Sequence, residues 1–113
     1  AHERQAEHFL ENKGYRILGR NFRCRFGEID LIARDGDCLV FVEVRYRTDT
    51  GKGHPLETVD TRKQRRICKV SDVYRYHNHV GTDEPVRYDV VAVLGDELVH
   101  LENAFPYLGA SAY

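Results

Sequence analysis

The dipeptide Gly36-Asp37 constrains the fold more than any other feature of the chain. It separates two apolar-rich runs, and a two-residue loop of this kind joins antiparallel strands. The loop pairs Asp35 with Cys38, so Leu39 faces Arg34, Phe41 faces Ile32, Glu43 faces Asp30 and Arg45 faces Glu28. Directly paired side chains share a face, with Cβ atoms about 5 Å apart. Glu28, Asp30, Glu43 and Arg45 therefore converge on one face of a hairpin whose other positions are mostly apolar. A three-residue loop would send Asp30 to the face opposite Glu43.

Charges in half-buried strands cost free energy unless partnered. Two carboxylates this close repel unless a cation or a proton lies between them. A divalent, oxygen-liking ion, Mg2+ or Mn2+, would remove the penalty. The residues alone leave two accounts of Asp30 and Glu43 open, a metal pair or part of an ion-pair network. Glu28 and Arg45 read as a cross-strand salt bridge. In the third strand Val40, Val42, Val44 and Tyr46 make one apolar face, while the other passes from Leu39 and Phe41 to Glu43, Arg45 and Arg47. A strand covered by helices on both sides would be apolar throughout, so the charged end opens onto a cleft.

The remaining elements follow from periodicity. Residues 2–13 read as an amphipathic helix stopped by Gly14, with Ala6, Phe9, Leu10 and Lys13 on one stripe and Glu3 aimed inward or along the helix–sheet boundary. Strands are expected over 15–23, 28–34 and 38–46. After a polar loop, a helix over 61–79 carries Ile67, Val70, Val73 and Tyr74 on its apolar stripe, with Lys63 one turn earlier on the same stripe. Thr61 with Gln64 fits a capping box, and Asp60 also fits as the cap. Gly95-Asp96 repeats the first turn chemistry between strands over 86–94 and 97–102, and 103–113 reads as a loose tail. The order α-β-β-β-α-β-β, with a helix long enough for a crossover, predicts an α/β fold: a mixed five-stranded sheet with flanking helices.

At 113 residues the chain fits one domain, with a single core spanning 1–113. Hydrophobic content of 42% and charged content of 31% suit a soluble globular protein, and no run is long enough to span a membrane. Cys24, Cys38 and Cys68 are odd in number and widely spaced, which suits a reducing cytoplasm better than a disulfide scaffold or a zinc knuckle. His54, His77, His79 and His100 make no zinc spacing and read as surface or packing residues. Net charge is only −1, yet Arg62, Lys63, Arg65, Arg66, Lys69 and Arg75 crowd one helix, and 16–25 holds arginines and no acid. A neutral total with a basic face is compatible with phosphate binding. Arg87 and Asp89, two apart on one strand, read as a structural ion pair.

Gly27-Glu-Ile-Asp-Leu-Ile32, followed by Val40-Phe-Val-Glu-Val-Arg45, resembles the PD-(D/E)xK nuclease pattern. With Glu3-Arg-Gln-Ala6, Gly14-Tyr15, Arg20-Asn21-Phe22, Lys63 and Arg87-Tyr-Asp-Val-Val91, nearly the whole chain resembles the YraN family of bacterial proteins, which are similar to archaeal Holliday-junction resolvases. The resemblance implies a restriction-endonuclease-like fold and a Mg2+- or Mn2+-dependent endonuclease acting on DNA, with branched or damaged DNA among the substrates it suggests. It implies metal ligands at Asp30, Glu43 and the Val44 carbonyl, with Arg45 at the superfamily's Lys position and Glu3 near the metal. Arg cannot act as a base at working pH, which leaves Lys63, aimed from the helix, or a second water as candidate replacements. His2 stands where the family usually has Gly. Arg20, Arg23, Arg25, Arg47, Arg62, Arg65, Arg66 and Lys69 are the expected nucleic-acid contacts. A homodimer is implied by the resolvases alone. Two other readings stay open: a nucleic-acid-binding module without cleavage, and an interaction domain whose charged hairpin is a salt-bridge cluster.

Overall fold

The computed structural model describes residues 2–47 and 59–109. Its elements are α1 (His2–Asn12), β1 (Arg16–Cys24), β2 (Gly27–Asp35), β3 (Cys38–Arg47), α2 (Thr61–His77), β4 (Val86–Leu94) and β5 (Glu97–Leu101). The five strands lie in the order β1-β2-β3-β4-β5, antiparallel except for the parallel β3–β4 pair. That parallel pair requires the crossover that contains α2. The α-β-β-β-α-β-β order and the mixed five-stranded sheet are those expected from the sequence.

The first turn behaves as its chemistry demands. Gly36 takes φ 60, and Asp35 pairs with Cys38, Arg34 with Leu39, Ile32 with Phe41 and Leu31 with Val42. With this register fixed, alternate β3 residues face opposite layers. Leu39 and Phe41 pack with Ile67, Val70 and Tyr88 beneath α2, while Val40 and Val42 pack with Ala6 and Leu10 beneath α1. Full burial of one such aliphatic side chain is worth about 1.5–3 kcal/mol, so both faces of β3 contribute to holding the two helices on the sheet.

Three sequence expectations need correction. Asp60 caps α2 by accepting the Lys63 amide at 2.9 Å, and Gln64 bonds the Val59 carbonyl at 2.9 Å, so the Thr61–Gln64 capping box does not form. On α2 the buried positions are Ile67, Cys68, Val70 and Ser71, while Val73 turns towards a surface groove. Nor is the segment after β5 loose through Leu108. Phe105 is buried and stacks on Tyr88 at 5.3 Å, the Ala104 amide bonds the Tyr88 carbonyl at 2.7 Å, and the Leu108 amide meets Cys68 Sγ at 3.3 Å. Apolar burial and backbone satisfaction hold it where sequence periodicity gave no signal. No helix among the described residues is long and apolar enough to cross a membrane.

Candidate functional site

The site begins where the β2–β3 ladder stops. Beyond Leu31↔Val42 no further pair forms between these strands. Ile29 and Ile32 both pack on the α2 side, whereas Leu31 and Ala33 pack on the α1 side. Two residues three apart on one face break the period of a strand, and the break falls at Asp30. On the neighbouring strand Asn21 takes φ 51, between the pairs Arg20↔Leu31 and Phe22↔Ile29. The strands part here, and the Asp30 side chain fills the gap by accepting the Val44 amide at 2.8 Å. The expected direct pairs Asp30–Glu43 and Glu28–Arg45 are therefore not ladder pairs, although Asp30, Glu28 and Glu43 still line one cavity.

That cavity, about 200 Å3, is lined by Gly27, Glu28, Asp30, Glu43, Lys63, Arg66 and Ile67. The Asp60 cap fixes the first turn of α2 and so aims Lys63 at the sheet. Lys63 Nζ lies 2.8 Å from Glu43 Oε2, and Arg45 Nη1 donates to the same oxygen at 3.2 Å. The Glu43 side chain is 6% exposed, and its charge is held by two cations that each remain 31% exposed. Burial first, and the Glu43 carboxylate second, push the Asp30 carboxyl up to about 7, with Glu3 and Glu28 adding to the rise and the Val44 amide opposing it. A carboxyl raised by desolvation beside a second carboxylate, in a cleft, marks a place suited to a proton or a cation.

The remaining candidates divide by position. Glu3 lies at the boundary of α1 and β1, where Asn21 Nδ2 donates to it at 3.3 Å, and it lines a separate cavity with His2, Val44 and Tyr46. Tyr46 stacks on His2 at 3.6 Å. Arg20 pairs with Glu7 at 2.5 Å, and Arg23 pairs with Glu28 at 3.0 Å across β1–β2. The partner of Glu28 is thus Arg23 and not Arg45, because the β1–β2 ladder stays closed where the β2–β3 ladder opens. Arg62, Arg65 and Arg66 are exposed along α2. Arg25 lies over the Phe26 ring at 4.8 Å and Lys69 over the same ring at 5.4 Å. Arg47 ends β3, and its side chain, like residues 48–58, lies outside the described residues. Among the described residues no three His, Cys, Asp or Glu side chains group as a metal cage. An ion held here would rest on Asp30 and Glu43, with water or substrate completing its shell.

A second polar cluster was only half legible in the sequence. Arg87 and Asp89 pair as expected, through two bonds of 3.0 Å. His100, read as a surface or packing residue, packs inward with its side chain 2% exposed and also joins an ion-pair network, with Nε2 at 2.8 Å from Asp89 Oδ2 and Nδ1 at 2.8 Å from Lys13 Nζ. An ammonium can only donate, so Nδ1 accepts and Nε2–H donates to Asp89. The Asn103 amide also donates to Asp89 at 2.9 Å, and Tyr15 donates to Glu102 at 2.9 Å. Burial pushes the Asp89 carboxyl up, but His100, Arg87 and the Asn103 amide outweigh it and hold the carboxyl below its usual range. The alternation of β4 and β5 carried the missing signal: Val91 pairs with His100 on the face that also holds Asp89.

The family described as "Uncharacterised protein family UPF0102" matches residues 2–93. A UPF0102 protein of Lachnoclostridium phytofermentans is 45% identical over 108 residues, covering 96% of this chain and 92% of the relative. One from Persephonella marina is 44% identical over 103 residues, covering 91% and 88%. One from Pseudomonas putida is 43% identical over 110 residues, covering 93% and 89%.

Proposed function

We propose, for a chain that belongs to the uncharacterised protein family UPF0102, that it is a divalent-metal-dependent endonuclease cleaving phosphodiester bonds in DNA, with branched or damaged DNA as its substrate class. One observation carries this reading. Asp30, Glu43 and Lys63, drawn from two strands and a helix, converge on one cavity in which the Asp30 carboxyl is raised to about 7.

The donor set fits Mg2+ or Mn2+. It is oxygen-only, and Mg2+ is commonly bound through one or two carboxylates, with waters and phosphate oxygens filling the remaining positions. Asp30 and Glu43 would hold the ion, with the Val44 carbonyl as a third oxygen. Such an ion polarises a phosphate oxygen and lowers the pKa of bound water. Lys63 stands within reach of that position and can orient a water or stabilise charge building on phosphorus. Arg45, always protonated, serves the electrostatic part and steadies Glu43. Arg62, Arg65 and Arg66, exposed on the same helix, supply phosphate contacts that carry little sequence information. Glu3 approaches from the α1 side.

The test is cleavage of a panel (linear duplex, single strand, four-way junction, structured RNA) with Mn2+, comparing wild type with Glu43→Ala. Activity in the wild type lost in Glu43→Ala supports the reading, and equal activity in both sinks it. A second reading, a nucleic-acid-binding module without cleavage, draws support from the two cations that already neutralise Glu43. Salt-sensitive DNA binding with no metal effect would favour it.

A further inference from the structure

We propose that Phe26 and Tyr76 form a base-stacking platform that receives an unpaired nucleotide strand running along α2, away from the Asp30–Glu43 cavity. The proposal deepens the nuclease reading and rests on it for the direction of the strand. A groove of about 500 Å3 lies between the β1–β2 turn and α2, lined by Phe26, Lys69, Asp72, Val73, Tyr76 and His77. Lys69, Val73 and Tyr76 recur every three to four residues, so they form one stripe of the helix. The Tyr76 side of the groove is open, since Tyr76 is 81% exposed.

Charge selects the occupant. Arg25 and Lys69 lie over the Phe26 ring at 4.8 Å and 5.4 Å, and His77 packs edge-on to Tyr76 at 5.8 Å. The one acid in the groove, Asp72, accepts the Tyr107 hydroxyl at 2.9 Å and 3.1 Å. An open Tyr76 face beside a ring that already carries two cations suits a strand whose bases stack while its phosphates meet Lys and Arg, and bases inside a duplex cannot reach such a face.

The groove also adjoins the candidate site along the chain. Phe26 is followed in the chain by Gly27, which lines the cavity with Arg66. A Cβ on Gly27 would stand 3.2 Å from Arg66 Cδ, so the missing side chain leaves room for the Arg66 stem against the cavity wall. Lys63 and Tyr76 are separated by about 20 Å of helix at 1.5 Å per residue, a span of a few nucleotides.

The experiment measures binding by fluorescence anisotropy in EDTA, so that no cleavage occurs, using labelled oligothymidine, oligouridine of equal length and a blunt duplex. Tyr76→Ala and Phe26→Leu should each weaken oligothymidine binding about tenfold while leaving duplex binding nearly unchanged, and Tyr76→Phe should restore it. Because Tyr76 is so exposed, its replacement tests the platform even if Phe26→Leu fails to fold. Equal binding of oligouridine would support a platform that reads base faces and not sugars. The proposal is overturned if wild type does not bind single strands, or if both variants lose single-strand and duplex binding together or lose neither. Cleavage is scored separately with Mn2+. Aromatic-dependent strand binding without any cleavage would overturn the nuclease reading alone, and cleavage without strand binding would overturn the platform alone.

Discussion

Lys63 Nζ and Glu43 Oε2 lie 2.8 Å apart, joining the first turn of α2 to the third strand. This contact forms part of the cavity wall and places a cation beside the carboxylate pair. Lys63→Ala should lower Mn2+-dependent cleavage about 100-fold, the usual scale for removing one group that stabilises developing charge. Circular dichroism should show the fold retained, because Arg45 still partners Glu43. Unchanged cleavage would remove Lys63 from the site.

Asp30 makes stability depend on pH. Its folded carboxyl is raised from 3.8 to about 7. The stability it contributes is therefore full below pH ~4, where both states are protonated, and is lost as pH rises through ~7. Asp30→Asn keeps an acceptor for the Val44 amide and removes the titration. The variant should gain about 1–3 kcal/mol on wild type between pH 4 and 8 in metal-free urea unfolding. Parallel pH profiles for the two proteins would contradict this.

Asp89 behaves in the opposite sense. Its carboxyl is held below the usual range, so its contribution is present above pH ~4 and is lost as pH falls through the folded value. Removing one partner from a buried charged network is costly. Asp89→Asn should cost about 3 kcal/mol at pH 7 and flatten the acid limb of the unfolding profile. Mn2+ binding by the folded fraction should not change, since the cluster shares no residue with the Asp30 cavity.

Gly27 takes φ 145, and an added Cβ would press on Arg66 Cδ at 3.2 Å. Gly27→Ala should lower stability by about 1–3 kcal/mol through backbone strain. It should also reduce DNA binding by displacing Arg66, a shift readable by anisotropy. A variant with wild-type stability and affinity would contradict the close approach.

The hairpin was legible because Gly36-Asp37 leaves few turn geometries, and one register then assigns Leu39, Phe41 and Glu43 to a common face. The break at Asp30 was not legible, since it depends on Asn21 at φ 51 on another strand. Sequence spacing aimed Lys63 at the sheet, but only the crossover determines that it meets Glu43. His100 and Phe105 were missed for a shared reason. Each is buried by partners distant in sequence, Lys13 and Asp89 for one and Tyr88 for the other, which local periodicity does not register.

The central claim is that Asp30 and Glu43 together hold a divalent cation. Titration of Mn2+ by electron paramagnetic resonance at pH 8 tests it directly, with wild type, Asp30→Asn and Glu43→Gln measured side by side. One bound Mn2+ per chain is predicted for wild type, weakening about tenfold per pH unit well below pH ~7 as protons compete for Asp30, and lost in both variants. Binding that survives both substitutions, or no binding by wild type, would contradict the account.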